Sequence, residues 1–226
     1  MRSRSAIGGQ WFWAAVAVSL MVSLTPWAPF LLYPFKLFTT WVHECSHALM
    51  TVLVGGRVTS IAIEPDTSGL TQSLVPAGRV ARGLVASAGY LGAAVVGCLL
   101  MAATRVATWT RVILLSLGAV MLLTLVVWMR NLFGAAVVLA WGVALVTLAR
   151  TRMANTARFL LCLLAVQVAL NSVYDIRVLF LIDRGSSDAA TMARIFLMPS
   201  WVWASTWMLM SATMLGATLW MTRGRE

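Results

Sequence analysis

Charge is what this chain has least of. Only 11% of its 226 residues are charged, while 61% are hydrophobic, and the mean hydropathy is +0.88. That balance excludes an ordinary soluble domain and reads as an all-α, polytopic membrane protein. Acids are the scarcest of all: seven Asp and Glu stand against seventeen Lys and Arg, for a formal net charge of +10. Lys36 is the only lysine. Most basic residues flank apolar runs, where lipid headgroups anchor them. A basic soluble face is missing, which excludes nucleic acid as a partner and leaves the lipid bilayer. The three cysteines, Cys45, Cys98 and Cys162, are odd in number and lie within apolar runs, which excludes a disulfide framework. No internal repeat or soluble segment interrupts the chain, so residues 1–226 read as one membrane-embedded domain.

Histidine is equally rare, and both copies fall in one place. The stretch Trp41-Val-His-Glu-Cys-Ser-His-Ala-Leu-Met50 is an HExxH pattern inside an apolar run. On a helix, His43 and His47 project from the same face one turn apart, so two imidazoles can bind one Zn²⁺. Glu44 lies beside that face, placed to act as a base toward a water that the metal acidifies to a pKa of ~7. Cys45 is about 200° round the helix from His43 and points away. An ionisable cluster in a membrane segment is costly and marks function.

Hydropathy and turn signals divide the chain into about seven transmembrane helices, at 10–34, 37–54, 83–104, 112–129, 132–149, 159–182 and 195–222. The first run resembles a signal peptide, but no small-residue cleavage site follows, so it reads as a retained helix ending near Pro26 to Pro34. The metal motif sits near the middle of the second helix, which Gly55-Gly56 stops. Residues 57–76 differ from the rest: short β-prone stretches flank the turn Glu64-Pro-Asp-Thr-Ser-Gly69, predicting a β-hairpin or re-entrant loop. A strand edge there would hold a membrane-protein or peptide substrate in extended form. Ser87-Ala-Gly-Tyr-Leu-Gly92 carries small-xxx-small pairs that admit a closely packed helix, the metal helix among the candidates. The fourth and fifth spans contain no acid, which counts against a continuous transport path. In the sixth, Gln167, Asn171 and Asp175 recur four residues apart and form one polar seam facing the bundle interior. Ser186 or Ser187 is placed to cap a short helix beginning near Asp188.

A catalytic zinc takes three protein ligands, so the histidines need an acid. Glu64 and Asp66 belong to a turn, and Asp183 adjoins Arg184 at a helix end. Two acids remain. Asp175 lies within a membrane helix, where a zinc ion would neutralise it, with Asn171 one turn earlier to orient it or a bound carbonyl. Asp188 lies at a helix start, in a loop able to fold back over the site.

Taken as an ordered set, His43-Glu-Cys-Ser-His47, Gly55-Gly-Arg-Val58, Glu64-Pro-Asp-Thr-Ser-Gly-Leu-Thr71, Ser87-Ala-Gly-Tyr-Leu-Gly92, Tyr174-Asp-Ile176 and Ser187-Asp-Ala189 resemble the site-2-protease-like membrane metallopeptidases. The resemblance covers roughly residues 40–205 and is to the compact branch found in actinobacteria, plants and fungi. It implies an intramembrane zinc protease of a bacterial cell membrane, with two motif histidines and a later acid on the metal. By position, His43 and His47 match the ligands and Glu44 the base. Better-known members carry an Asn-rich, Pro-containing segment ending in Leu-Asp-Gly, whereas Asp175 is followed here by Ile176-Arg177. A metal-binding scaffold or chaperone-like protein of the same fold is the alternative.

Overall fold

The computed structural model describes residues 3–181 and 187–223. In chain order it has helix α1 (Ser3–Ser23), the single turn α2 (Ala28–Leu31), α3 (Tyr33–Leu53), strands β1 (Arg57–Ile63) and β2 (Gly69–Leu74), then α4 (Arg79–Ala103), α5 (Thr110–Val127), α6 (Leu132–Arg150), α7 (Ala154–Leu181), α8 (Asp188–Phe196) and α9 (Ser200–Arg223). Long apolar runs form helices because a helix satisfies its backbone within the segment.

Among the described residues, four helices are long and apolar enough to cross a membrane: Arg79–Ala103, Thr110–Val127, Leu132–Arg150 and Ala154–Ile176. They answer to four of the seven expected spans. The other three fall on α1, whose apolar part is Gln10–Ser23, on α3, which carries the polar motif, and on α9. The boundaries also shift. α1 stops at Ser23, ahead of Pro26, and not near Pro34. The expected last span, 195–222, is broken in two, because Leu197 turns left-handed at φ 58° and Pro199 follows. Residue 182, the expected end of the sixth span, and the loop at Asp183 to Ser186 lie outside the described residues.

Within α3, Leu37, Trp41, Glu44, Ala48 and Thr51 are buried at alternating three- and four-residue steps, so one stripe faces the bundle. Pro34 opens the helix, where its missing N–H costs nothing. Trp41 buries its ring and donates Nε1–H to Thr124 Oγ1 of α5 at 3.0 Å. Gly55, at φ 80°, ends the helix in a conformation few other residues adopt. The main core joins Phe38, Trp41 and Val42 to Leu114, Met121, Leu145, Leu161, Leu164 and Val168. A smaller cluster of Ala86, Ile176, Ala189, Met192, Ala204 and Trp207 fixes α8 against its neighbours.

Residues 57–76 form a hairpin. β1 and β2 pair antiparallel from Arg57↔Leu74 to Ile63↔Gly69, with an irregularity between Val58 and Ser60. Its turn is closed by Asx chemistry: Asp66 Oδ1 accepts from Ser68 N at 2.9 Å and Ser68 Oγ at 2.6 Å. The tip is tied to α3, since Tyr33 Oη donates to Pro65 O and Thr40 Oγ1 to Thr67 O. The outer edge of β1 is occupied. Ile61 N donates to Trp128 O at 2.7 Å and Arg130 N to Ile61 O at 3.1 Å. Beyond that, the Asn131 amide mimics a strand, accepting from Ile63 N at 3.2 Å and donating to Ile63 O at 2.6 Å. Among the described residues, the outer edge of β2, away from β1, has no strand partner.

Candidate metal centre

α3 carries His43 and His47 on one face, and α4 lies directly beneath them. His47 Nδ1 is 2.7 Å from the Val85 carbonyl. A carbonyl only accepts, so Nδ1 holds the proton and Nε2 of the neutral ring presents a lone pair. That lone pair faces two others. His47 Nε2 is 3.0 Å from His43 Nε2, and Asp188 Oδ2 is 3.2 Å from each.

Asp188 arrives there on α8. Ser187 caps this helix, its Oγ accepting from Ala190 N at 3.2 Å, and Asp188 suits the positive end of the helix dipole. Ala189, Met192 and Ile195 form the buried stripe that seats α8. Burial alone would raise the Asp188 carboxyl, but the positive charge that His47 and His43 carry when protonated, without a metal between them, holds it below the usual carboxylate range.

The donor set fits a zinc ion. Donors held at ~2.0–2.1 Å around a tetrahedral zinc lie about 3.3 Å apart, close to the 3.0, 3.2 and 3.2 Å edges of this triangle. Their ligand atoms form the one metal-capable group of three or more such residues among the described residues. Space is kept for it by Gly89 of α4, where a Cβ would run into His43 Nε2, His43 Cε1 and His47 Nε2. Gly92 does the same for Ser46. The small-residue pairs of α4 therefore pack against the metal helix.

The triangle opens into a cavity of about 850 Å³, whose walls include Lys36, Thr40, Glu44, residues of β2, Arg82, Tyr90 and Asp175. Glu44 is buried, and its Oε2 accepts from Thr71 Oγ1 at 2.7 Å. Asp175 lines this cavity within electrostatic reach of Lys36 and His43, but its carboxylate is not grouped with the histidines. The polar seam of α7 faces inward as expected, yet its members meet different neighbours. Gln167 donates to Ser19 of α1 at 3.0 Å, and Asn171 to Thr39 of α3 at 3.4 Å. Asn171 is not among the cavity walls. Cys45 packs against the main core.

Three neighbours of the site were not legible as such. Val85 acts through its backbone, which no side-chain pattern reveals. Thr71 looked like an ordinary strand residue. Tyr90 stands edge-on to His43, with ring centroids 4.7 Å apart, and stacks on Trp207 at 5.3 Å. An aromatic with a hydroxyl inside a small-residue packing motif was the available signal.

Apolar helices long enough to span a membrane, around a His, His, Asp donor set, define a membrane protein with a candidate metal centre. A family model described as Peptidase M50B-like matches residues 13–218, and the chain belongs to that family, in keeping with its site-2-protease-like motifs. No curated protein and no solved structure matches it.

Proposed function

We propose that the protein is an intramembrane zinc endopeptidase that hydrolyses a peptide bond in or near the bilayer. The observation that carries this reading is the triangle of His43 Nε2, His47 Nε2 and Asp188 Oδ2, with edges of 3.0–3.2 Å, at a cavity that also holds Glu44. His43, His47 and Asp188 hold the metal. Zinc, when bound, polarises a scissile carbonyl and acidifies a water. Glu44 takes the water's proton and returns it to the departing amine.

The substrate is a membrane protein or peptide in extended form, paired along β2. Backbone at membrane depth must be satisfied by some partner, and the unpaired edge of β2 in the cavity wall offers donors and acceptors for one. Asn171 steadies α3 through Thr39, and Asp175 stands with Lys36 in the cavity wall. With α1, α3 and α9 added to the four apolar helices, the bundle reaches seven spans.

The test is Glu44→Gln in full-length protein purified in detergent, with single-span transmembrane peptides labelled at both ends as probe. Zinc content stays at wild-type level while cleavage falls by a factor of ~10² or more. Equal cleavage by the variant would defeat the assignment of the base. A zinc-loaded wild type that cuts no probe would favour the non-proteolytic scaffold.

A further inference from the structure

β2 alternates. Gly69, Thr71 and Ser73 are half-buried, while Leu70, Gln72 and Leu74 are exposed. The half-buried set brings two contacts to the same side chain. Thr71 Oγ1 lies 2.7 Å from Glu44 Oε2 and 3.0 Å from the Glu44 main-chain oxygen. A hydroxyl has one proton to give. The main-chain oxygen belongs to the α3 ladder, whereas the carboxylate is nearer and charged, so the proton goes to Oε2. At Gly69 a Cβ would lie 2.5 Å from Glu44 Oε1, so the second carboxylate oxygen passes over bare backbone of the same strand.

A glutamate has three side-chain torsions, and an unheld one samples several rotamers. Both oxygens of Glu44 meet β2 instead. We propose that Thr71 is the positioning residue of Glu44: its hydroxyl fixes the rotamer from which the carboxylate takes and returns a proton. Thr71 keeps its own proton throughout. This rests on the proteolytic reading above, and it deepens that reading in one respect. β2 also offers the open edge, so an extended substrate pairs with the strand that orients the base, and seating of substrate is mechanically joined to alignment of Glu44.

Thr71→Val removes the hydroxyl and keeps the shape; Thr71→Ser keeps the hydroxyl. In the zinc-loaded full-length protein, acting on the same labelled peptides, Thr71→Val lowers kcat by ~10–100-fold, with KM and zinc content within about twofold of wild type. Thr71→Ser stays within about threefold of the wild-type kcat. Independently of cleavage, Thr71→Val lowers the unfolding temperature in the wild-type background and lowers it by less in Glu44→Ala, where only the main-chain acceptor remains, because the pair is coupled. A wild-type kcat in Thr71→Val, an equal loss in Thr71→Ser, or the same thermal cost in both backgrounds overturns the inference while leaving the proteolytic reading intact. A zinc-loaded wild type that cleaves no peptide overturns that reading and this inference with it.

Discussion

His47 donates its Nδ1 proton to the Val85 carbonyl at 2.7 Å, and this bond decides which nitrogen faces Asp188. Val85 lies one helical turn before Gly89, whose missing side chain leaves room at the Nε2 atoms of both histidines. α4 therefore supplies the tautomer and the space, α3 the imidazoles and α8 the carboxylate. The site is assembled from three helices, and only the α3 part is contiguous in sequence.

The two acids make different demands on a metal measurement. A neighbour that only orients a ligand costs ~10–100-fold in affinity when removed, and loss of a direct ligand costs more. Asp188→Asn therefore weakens zinc binding by more than about 100-fold, while Asp175→Asn changes it by less than about 10-fold. Competition against a chromophoric chelator, on purified full-length protein, measures both. The opposite ranking would return the ligand role to Asp175.

Asn131 is the point at which the hairpin is fastened to α6. Its amide satisfies both the N–H and the C=O of the fully buried Ile63. Asn131→Leu leaves those backbone groups unpaired at a cost of about 1–3 kcal/mol, equivalent to a fall of roughly 2–12 °C in unfolding temperature for a chain of this size. Since Glu44 leans on β2, cleavage falls as well. Thermal unfolding in detergent reads the first effect and peptide cleavage the second. An unchanged midpoint would show that Trp128 and Arg130 hold β1 without Asn131.

Much of this was legible in the sequence because local chemistry dictates it. The spacing of His43 and His47 needs only a helix, and Gly55 and the Asp66 turn bracket the hairpin by backbone preference alone. The ranking of the acids was another matter. Asp175 stood out because a carboxylate within an apolar run is expensive, but burial cost says nothing about reach. The carboxylate grouped with the histidines is delivered by α8, a helix whose placement depends on Met192 and Ala189 packing against α4 and α9. That is long-range packing, and no local pattern encodes it. The broken last span is an intermediate case: Pro199 was visible, but the left-handed turn at Leu197 was not.

The glycines of α4 give the sharpest separation between packing and metal binding, because two of them face α3 with different neighbours. At Gly89 a Cβ collides with both imidazoles at the Nε2 atoms that face Asp188. These rings are pinned, His47 by Val85 and His43 by the edge of Tyr90, so they cannot yield without giving up the geometry. At Gly92 a Cβ meets Ser46 Oγ and Ser46 Cβ: the hydroxyl, which donates to Val42 O at 2.7 Å, turns about a single bond, whereas the Cβ yields only as the two helices part, and neither atom belongs to the donor set. Both substitutions push α3 and α4 apart, and overpacking of this kind costs about 1–3 kcal/mol. Only Gly89→Ala should also abolish zinc binding, whereas Gly92→Ala retains about one zinc per chain with affinity within roughly 10-fold of wild type. Metal analysis of the two purified variants, with circular dichroism to show that each is folded, makes the comparison. If both lose zinc alike, the requirement at position 89 is close helix packing and nothing more specific. If both keep it, Gly89 does not border the metal.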